Sequence, residues 1–148
     1  MSNLQARNEI VINAPVSQIW AIITDTNQLD KVHPRIVKAT GIWNEKNCTR
    51  ICESKNGTMT EKIIEIIPEK KIVWTTESDT MGMKKTMKEI AFYFYLEAIG
   101  GNRTKVIHET HYMPANFFIR ILNNVMMKKM ISKLQAQTLN NIKTLAEK

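Results

Sequence analysis

The stretch 117–145, FFIRILNNVMMKKMISKLQAQTLNNIKTL, contains neither proline nor glycine. At about 3.6 residues per turn, Ile121, Met127, Ile131, Leu134, Thr138, Ile142 and Leu145 fall along one apolar stripe. The first half is wider, adding Phe117, Phe118, Leu122, Met126 and Met130. A helix of that length spans roughly 45 Å, more than a simple lid over one sheet face requires. The rest of the chain must therefore supply a surface large enough to hold it.

Strand patterns fill the middle. Residues 8–13, NEIVIN, alternate polar and apolar and stop at Ala14-Pro15. PVSQIWAIITD then carries Val16, Ile19, Trp20 and Ile23 at helical spacing, with Pro15 near the first helical position, where its missing N–H costs nothing. Residues 27–32 read as a second short helix ended by Pro34. From 35 to 113 the runs IVKATGIW, CTRICES, TMTEKIIEII, KIVWTTES, KEIAFYFYLEA and TKVIHETHYM are rich in β-branched and aromatic residues. NEKN, KNG, PEKK, DTMGMK and GGNR separate them as turns or loops. Short connections between six strands imply an antiparallel meander, and the first strand makes seven. A single α+β domain over 1–148 follows, with two short helices between strands 1 and 2.

Bulk properties narrow the partners. A chain 43% hydrophobic and 24% charged has the balance of a folded protein rather than a disordered one. No apolar run approaches the roughly 20 residues of a membrane span, and MSNLQARNEI is too polar for a signal peptide, so integral membrane association is not expected and the expected compartment is the cytoplasm. The net charge is +7, yet the lysines are scattered and no aromatic platform interleaves with them. Nucleic acid is accordingly not an expected partner. An outward Tyr93/Tyr95 face leaves a homodimer open.

The chemistry-bearing residues are few. Cys48 and Cys52, four apart in a strand, would stand about 13 Å from each other, too far for a disulfide, and are read as free thiols. In a strand the two histidines of HETH point to opposite faces, which does not suit zinc. His33 beside Pro34 is read as exposed, and Glu61 and Glu65 as solvent-facing. With no phosphate loop, nucleophile elbow or dinucleotide fingerprint, neither cofactor nor metal is expected.

Taken in order, these elements and three segments resemble the START-like (SRPBCC) superfamily, in particular its polyketide cyclase/dehydrase and lipid transport-like branch. IVINAPVSQIWAIITD is similar to the family's opening strand and helix. KVHP resembles its WHP segment, with Val32 in place of tryptophan. GGNRTKVIHETHY resembles its Gly-Gly-x-x-Thr hairpin. The resemblance implies a helix-grip fold: a curved seven-stranded antiparallel sheet wrapped around the last helix, with a ligand cavity between them.

Alternation then selects cavity-facing side chains. In KEIAFYFYLEA, Ile90, Phe92, Phe94 and Leu96 share an apolar face. A three-residue Gly100-Gly101-Asn102 loop would turn Val106, His108, Thr110 and Tyr112 inward; a two-residue Gly-Gly loop would turn Glu109 inward instead. The first register buries fewer charges. The candidate ligand-binding residues are Trp74, Phe92, Phe94, His108, Thr110 and Tyr112 from the sheet. Phe118, Leu122, Met126 and Met130 join them from the helix, where unbranched methionine adapts to irregular ligands. His108 is the one weak catalytic candidate. The favoured function is binding or carrying a small hydrophobic molecule. The alternatives are a cyclase/dehydratase-type enzyme using the same cavity, or a protein-interaction adaptor of the same fold.

Overall fold

The structure is a computed structural model that describes residues 2–148. Seven strands form one antiparallel sheet: β1 (Asn3–Ile12), β2 (Ile36–Thr40), β3 (Thr49–Ser54), β4 (Gly57–Ile67), β5 (Lys71–Asp79), β6 (Met87–Gly100) and β7 (Arg103–Pro114). Their order across the sheet is β1-β7-β6-β5-β4-β3-β2, so the six-strand meander closes by bringing β7 beside β1. Between β1 and β2 lie α1 (Val16–Ile23), a 3₁₀ turn (Thr26–Gln28) and α2 (Leu29–Val32). The Pro15 carbonyl accepts from the amides of Gln18 and Ile19, which starts α1 as the sequence implies. A short α3 (Met83–Thr86) replaces the expected loop before β6.

β2 is shorter than the expected strand because Gly41 ends it. Its φ is +129°, and a Cβ there would sit 2.5 Å from the Thr49 carbonyl oxygen. Only glycine allows that approach.

The β6–β7 turn corrects the expected loop while preserving its consequence. Gly100 pairs with Arg103, leaving the two-residue turn Gly101-Asn102, and both turn residues have positive φ, as a type I′ hairpin requires. The register shifts between Ala98 and Gly100, so Ile99 is the extra residue. That bulge restores the facing that the three-residue loop would have given: Val106, His108, Thr110 and Tyr112 are all buried.

The long helix begins where the sequence places it. Asn116 caps α4 (Phe117–Leu122) by accepting from the Ile119 amide at 3.0 Å. It is not uniform, however. A π-helical segment, Asn123–Met127, joins α4 to α5 (Lys128–Ala146). Leu139, Ile142 and Ala146 of α5 lie in the main core with Ile12, Ile19, Ile63, Ile72, Phe94 and Val106. Burying each such branched side chain contributes about 1.5–3 kcal/mol.

Candidate functional site

Antiparallel pairing lines up the inner face in rows. Ile63, Trp74, Phe92, Thr110 and Ala6 are successive neighbours across β4, β5, β6, β7 and β1. The next row is Ile72, Phe94, His108 and Asn8. On the other side of Trp74 runs a polar row: Arg50, Glu61 and Thr76 on β3, β4 and β5. The candidates Trp74, Phe92, Phe94 and His108 are thus brought together. Trp74 stacks on Phe92 with centroids 5.4 Å apart, lies 5.3 Å from Phe94 and 5.9 Å from His108, and meets Trp43 edge-on at 6.3 Å.

His108 is buried against Phe94, ring centroids 4.3 Å apart. Its Nδ1 lies 3.0 Å from the Tyr93 carbonyl oxygen. A carbonyl only accepts, so Nδ1 carries the proton and Nε2 is the acceptor of the neutral ring. Burial pushes the pKa down to about 4, against the opposing pull of that hydrogen bond. His108 is therefore a neutral hydrogen-bonding group at neutral pH.

The polar row corrects the reading of Glu61 as solvent-facing. Glu61 is buried; its Oε1 accepts from Arg50 Nε at 2.8 Å and from the Cys52 thiol at 3.5 Å, and its Oε2 from Trp74 Nε1 at 3.0 Å. The Arg50 guanidinium also lies 3.9 Å over the Trp43 ring. Bulges hide this from simple alternation. The β4–β5 register shifts between Thr60 and Glu61 and again between Ile63 and Glu65, so Glu61 and Ile63 face inward while Glu65 faces out to Lys71. Both cysteines are free thiols, as expected. Burial, with Glu61 beside it, pushes the Cys52 thiol up to about 12, so it stays a protonated donor.

His33 is likewise not the exposed residue expected. It is half-buried, burial lowers its pKa, and it is near enough to Glu61 and Arg50 to feel both charges. Its Nδ1 accepts from the Arg35 amide at 3.1 Å. The Thr76 hydroxyl, at the end of the polar row, is buried with no hydrogen-bond partner among the described residues, as is that of Thr26.

Thr110 and Tyr112 face inward but are engaged by the helix. Gln135 Nε2 donates to Thr110 Oγ1 at 2.8 Å and to the Ala6 carbonyl at 3.2 Å, while Asn8 Nδ2 donates to Gln135 Oε1 at 2.9 Å. The Tyr112 hydroxyl donates to Asn123 Oδ1; Asn123 Nδ2 donates to Gln5 Oε1 at 3.0 Å, and Gln5 returns to the Tyr112 carbonyl at 2.9 Å. Burial raises the Tyr112 pKa to about 12, so the phenol stays a donor. These two loops of hydrogen bonds fasten the helix to β1 and β7.

Phe118, Leu122, Met126 and Met130 are not placed against the inner face at all. They are 80%, 41%, 60% and 42% exposed. The inward line of this stretch is instead Ile119, Asn123, Met127 and Ile131. The two bonds that Asn123 makes fix that rotation. Two open grooves flank it: one of about 570 Å³ between β1 and α5, lined by Arg7, Lys128, Lys129 and Lys133 among others, and one of about 290 Å³ by Arg120 and Asn124. Both lie outside the aromatic rows, where buried rings and polar groups converge on the inner face.

Among the described residues no cluster of three or more His, Cys, Asp or Glu is arranged to hold a metal ion.

A family model described as polyketide cyclase / dehydrase and lipid transport matches residues 4–147. The chain belongs to this family. Its helix-grip fold is shared with solved START-like structures at low identity. The Zhui aromatase/cyclase from Streptomyces sp. R1128 has a TM-score of 0.78 at 11% identity, over 99% of this chain and 94% of that one. Norcoclaurine synthase from Thalictrum flavum, solved with dopamine and hydroxybenzaldehyde, has 0.73 at 14%, over 98% and 86%. A START superfamily protein from Mycobacterium smegmatis has 0.73 at 10%, over 96% of each. No curated protein matches the chain in sequence.

Proposed function

We propose that the protein binds and carries a small, mainly apolar molecule against the inner face of β4–β7, its apolar body on Trp74, Phe92 and Phe94. A hydrogen-bonding group of the ligand reaches the polar row. The observation that carries this reading is the buried, unpartnered Thr76 hydroxyl, one position along that face from Trp74. An unpaired buried hydroxyl costs about 1–3 kcal/mol, which a ligand polar atom would offset. The Nε2 lone pair of His108 offers a second polar contact.

Membership of a family described by lipid transport as well as cyclisation supports a carrier. His108 favours it over an acid–base enzyme: a group with a pKa near 4 is a weak proton acceptor at neutral pH.

Thr76→Val and native mass spectrometry test the proposal. The purified protein should release a small molecule of defined mass on denaturation. Thr76→Val should retain less of it while the empty protein stays at least as stable, since no protein partner is lost. Equal retention by the variant, or destabilisation of the empty protein, would count against this assignment of the hydroxyl.

A further inference from the structure

The outward face of the helix N-terminal half has a consistent chemistry. Phe118, Ile121, Leu122, Val125, Met126 and Met130 recur at intervals of three and four residues, and all are exposed, as is Phe117. From Phe117 to Ala146 the chain has five basic residues, Arg120, Lys128, Lys129, Lys133 and Lys143, and no aspartate or glutamate. The first four flank or continue the apolar stripe. Lys128, Lys129 and Lys133 also line the groove of about 570 Å³ between α5 and β1, together with Arg7.

An exposed apolar stripe of this extent marks an interaction surface. Its charge selects the occupant. A second copy of the chain would oppose four cations with four cations, whereas an anionic surface would complement them. Phe118 stands out from the surface, 80% exposed and set edge-on to Phe117 at 6.2 Å. A lipid surface receives such a ridge without a preformed groove.

We infer that α4, the π segment and the first turns of α5 dock the protein peripherally on an anionic lipid bilayer. The helix lies in the interface plane, with Phe117, Phe118, Leu122, Val125 and Met126 in the boundary between headgroups and acyl chains. Arg120, Lys128, Lys129 and Lys133 meet lipid phosphates. This does not depend on the inner ligand site and holds whether or not that site is occupied.

Sedimentation with vesicles of phosphatidylcholine and phosphatidylglycerol at equal amounts, against pure phosphatidylcholine, tests it on the full chain. Wild type should pellet with the mixed vesicles only, and raised salt should release it. Phe118→Asp with Met126→Asp should abolish pelleting while circular dichroism stays unchanged, because both positions are solvent-exposed. Lys128→Gln with Lys129→Gln should weaken it about thirty-fold. Absence of pelleting with mixed vesicles, or pelleting indifferent to these substitutions, would overturn the inference. So would a concentration-dependent dimer that Phe118→Asp dissolves, since the face would then serve a second copy.

Discussion

The two halves of the C-terminal helix differ against expectation: Phe117–Met130 is the richer in apolar residues and also the more exposed. From Gln135 onward, apolar side chains turn into the grip: Leu139 and Ile142 are 2% and 0% exposed. From Phe117 to Met130, most turn away from it. The difference follows from what each half is fastened to. The C-terminal half begins with the Gln135 bonds to Thr110 and Ala6 and then packs hydrocarbon on hydrocarbon against α1 and the main core. The N-terminal half sets only Met127 and part of Ile119 against the sheet, and the bonds of Asn123 to Tyr112 and Gln5 lie on that same side. Where a polar anchor sets the rotation, apolar residues need not be core.

The largest expected effect is in the gripped half. Ile142→Ala should cost about 2–5 kcal/mol in urea denaturation, as the fully buried branched side chain leaves a cavity. A cost near zero would mean that the helix is not held there.

Acid should act on the inner face that α5 covers. The His108 pKa is lowered to about 4 in the folded protein, so between about pH 6.5 and 4 the unfolded chain holds a proton that the folded one refuses. Its contribution is complete above about pH 6.5 and is lost as pH falls towards 4, on the order of 3 kcal/mol in all. His33, lowered by burial too, adds in the same direction. Stability measured across that range should fall more steeply in wild type than in His108→Gln.

The anchor of the outward half is worth less. Tyr112→Phe leaves Asn123 Oδ1 without its donor and should cost about 1–3 kcal/mol. Smallest of all, Met126→Ala should change stability by less than about 0.5 kcal/mol, because its side chain covers little.

The sequence made the strands legible because their apolar and polar residues alternate. It also made the facing of β7 legible, because the alternative buried Glu109. What it concealed was every place where one residue interrupts a period. The bulges in the β4–β5 ladder turned Glu61 inward, beside an Arg50 that nothing local links to it. Ile99 became a bulge, so a two-residue turn did what a three-residue loop was expected to do. Phe118, Leu122, Met126 and Met130 were assigned to the cavity because a stretch apolar around most of its circumference has no periodicity that names its inner side. The deciding contact joins Asn123 to Tyr112 and, across the length of the chain, to Gln5. The Asn123-Asn124 pair inside an apolar run was a local sign that something polar waited there, without saying which of the two faced it.

Oxidation of two adjacent side chains in the unmodified protein reads the rotation of the helix. Met126 is 60% exposed and Met127 9%. Under mild peroxide, methionine oxidises to the sulfoxide according to its access to solvent, and peptide mass spectrometry resolves each position over time. Met126 and Met130 should oxidise early while Met127 lags until the protein unfolds. Early oxidation of Met127 with Met126 protected would contradict that rotation and turn the apolar stripe back into the cavity.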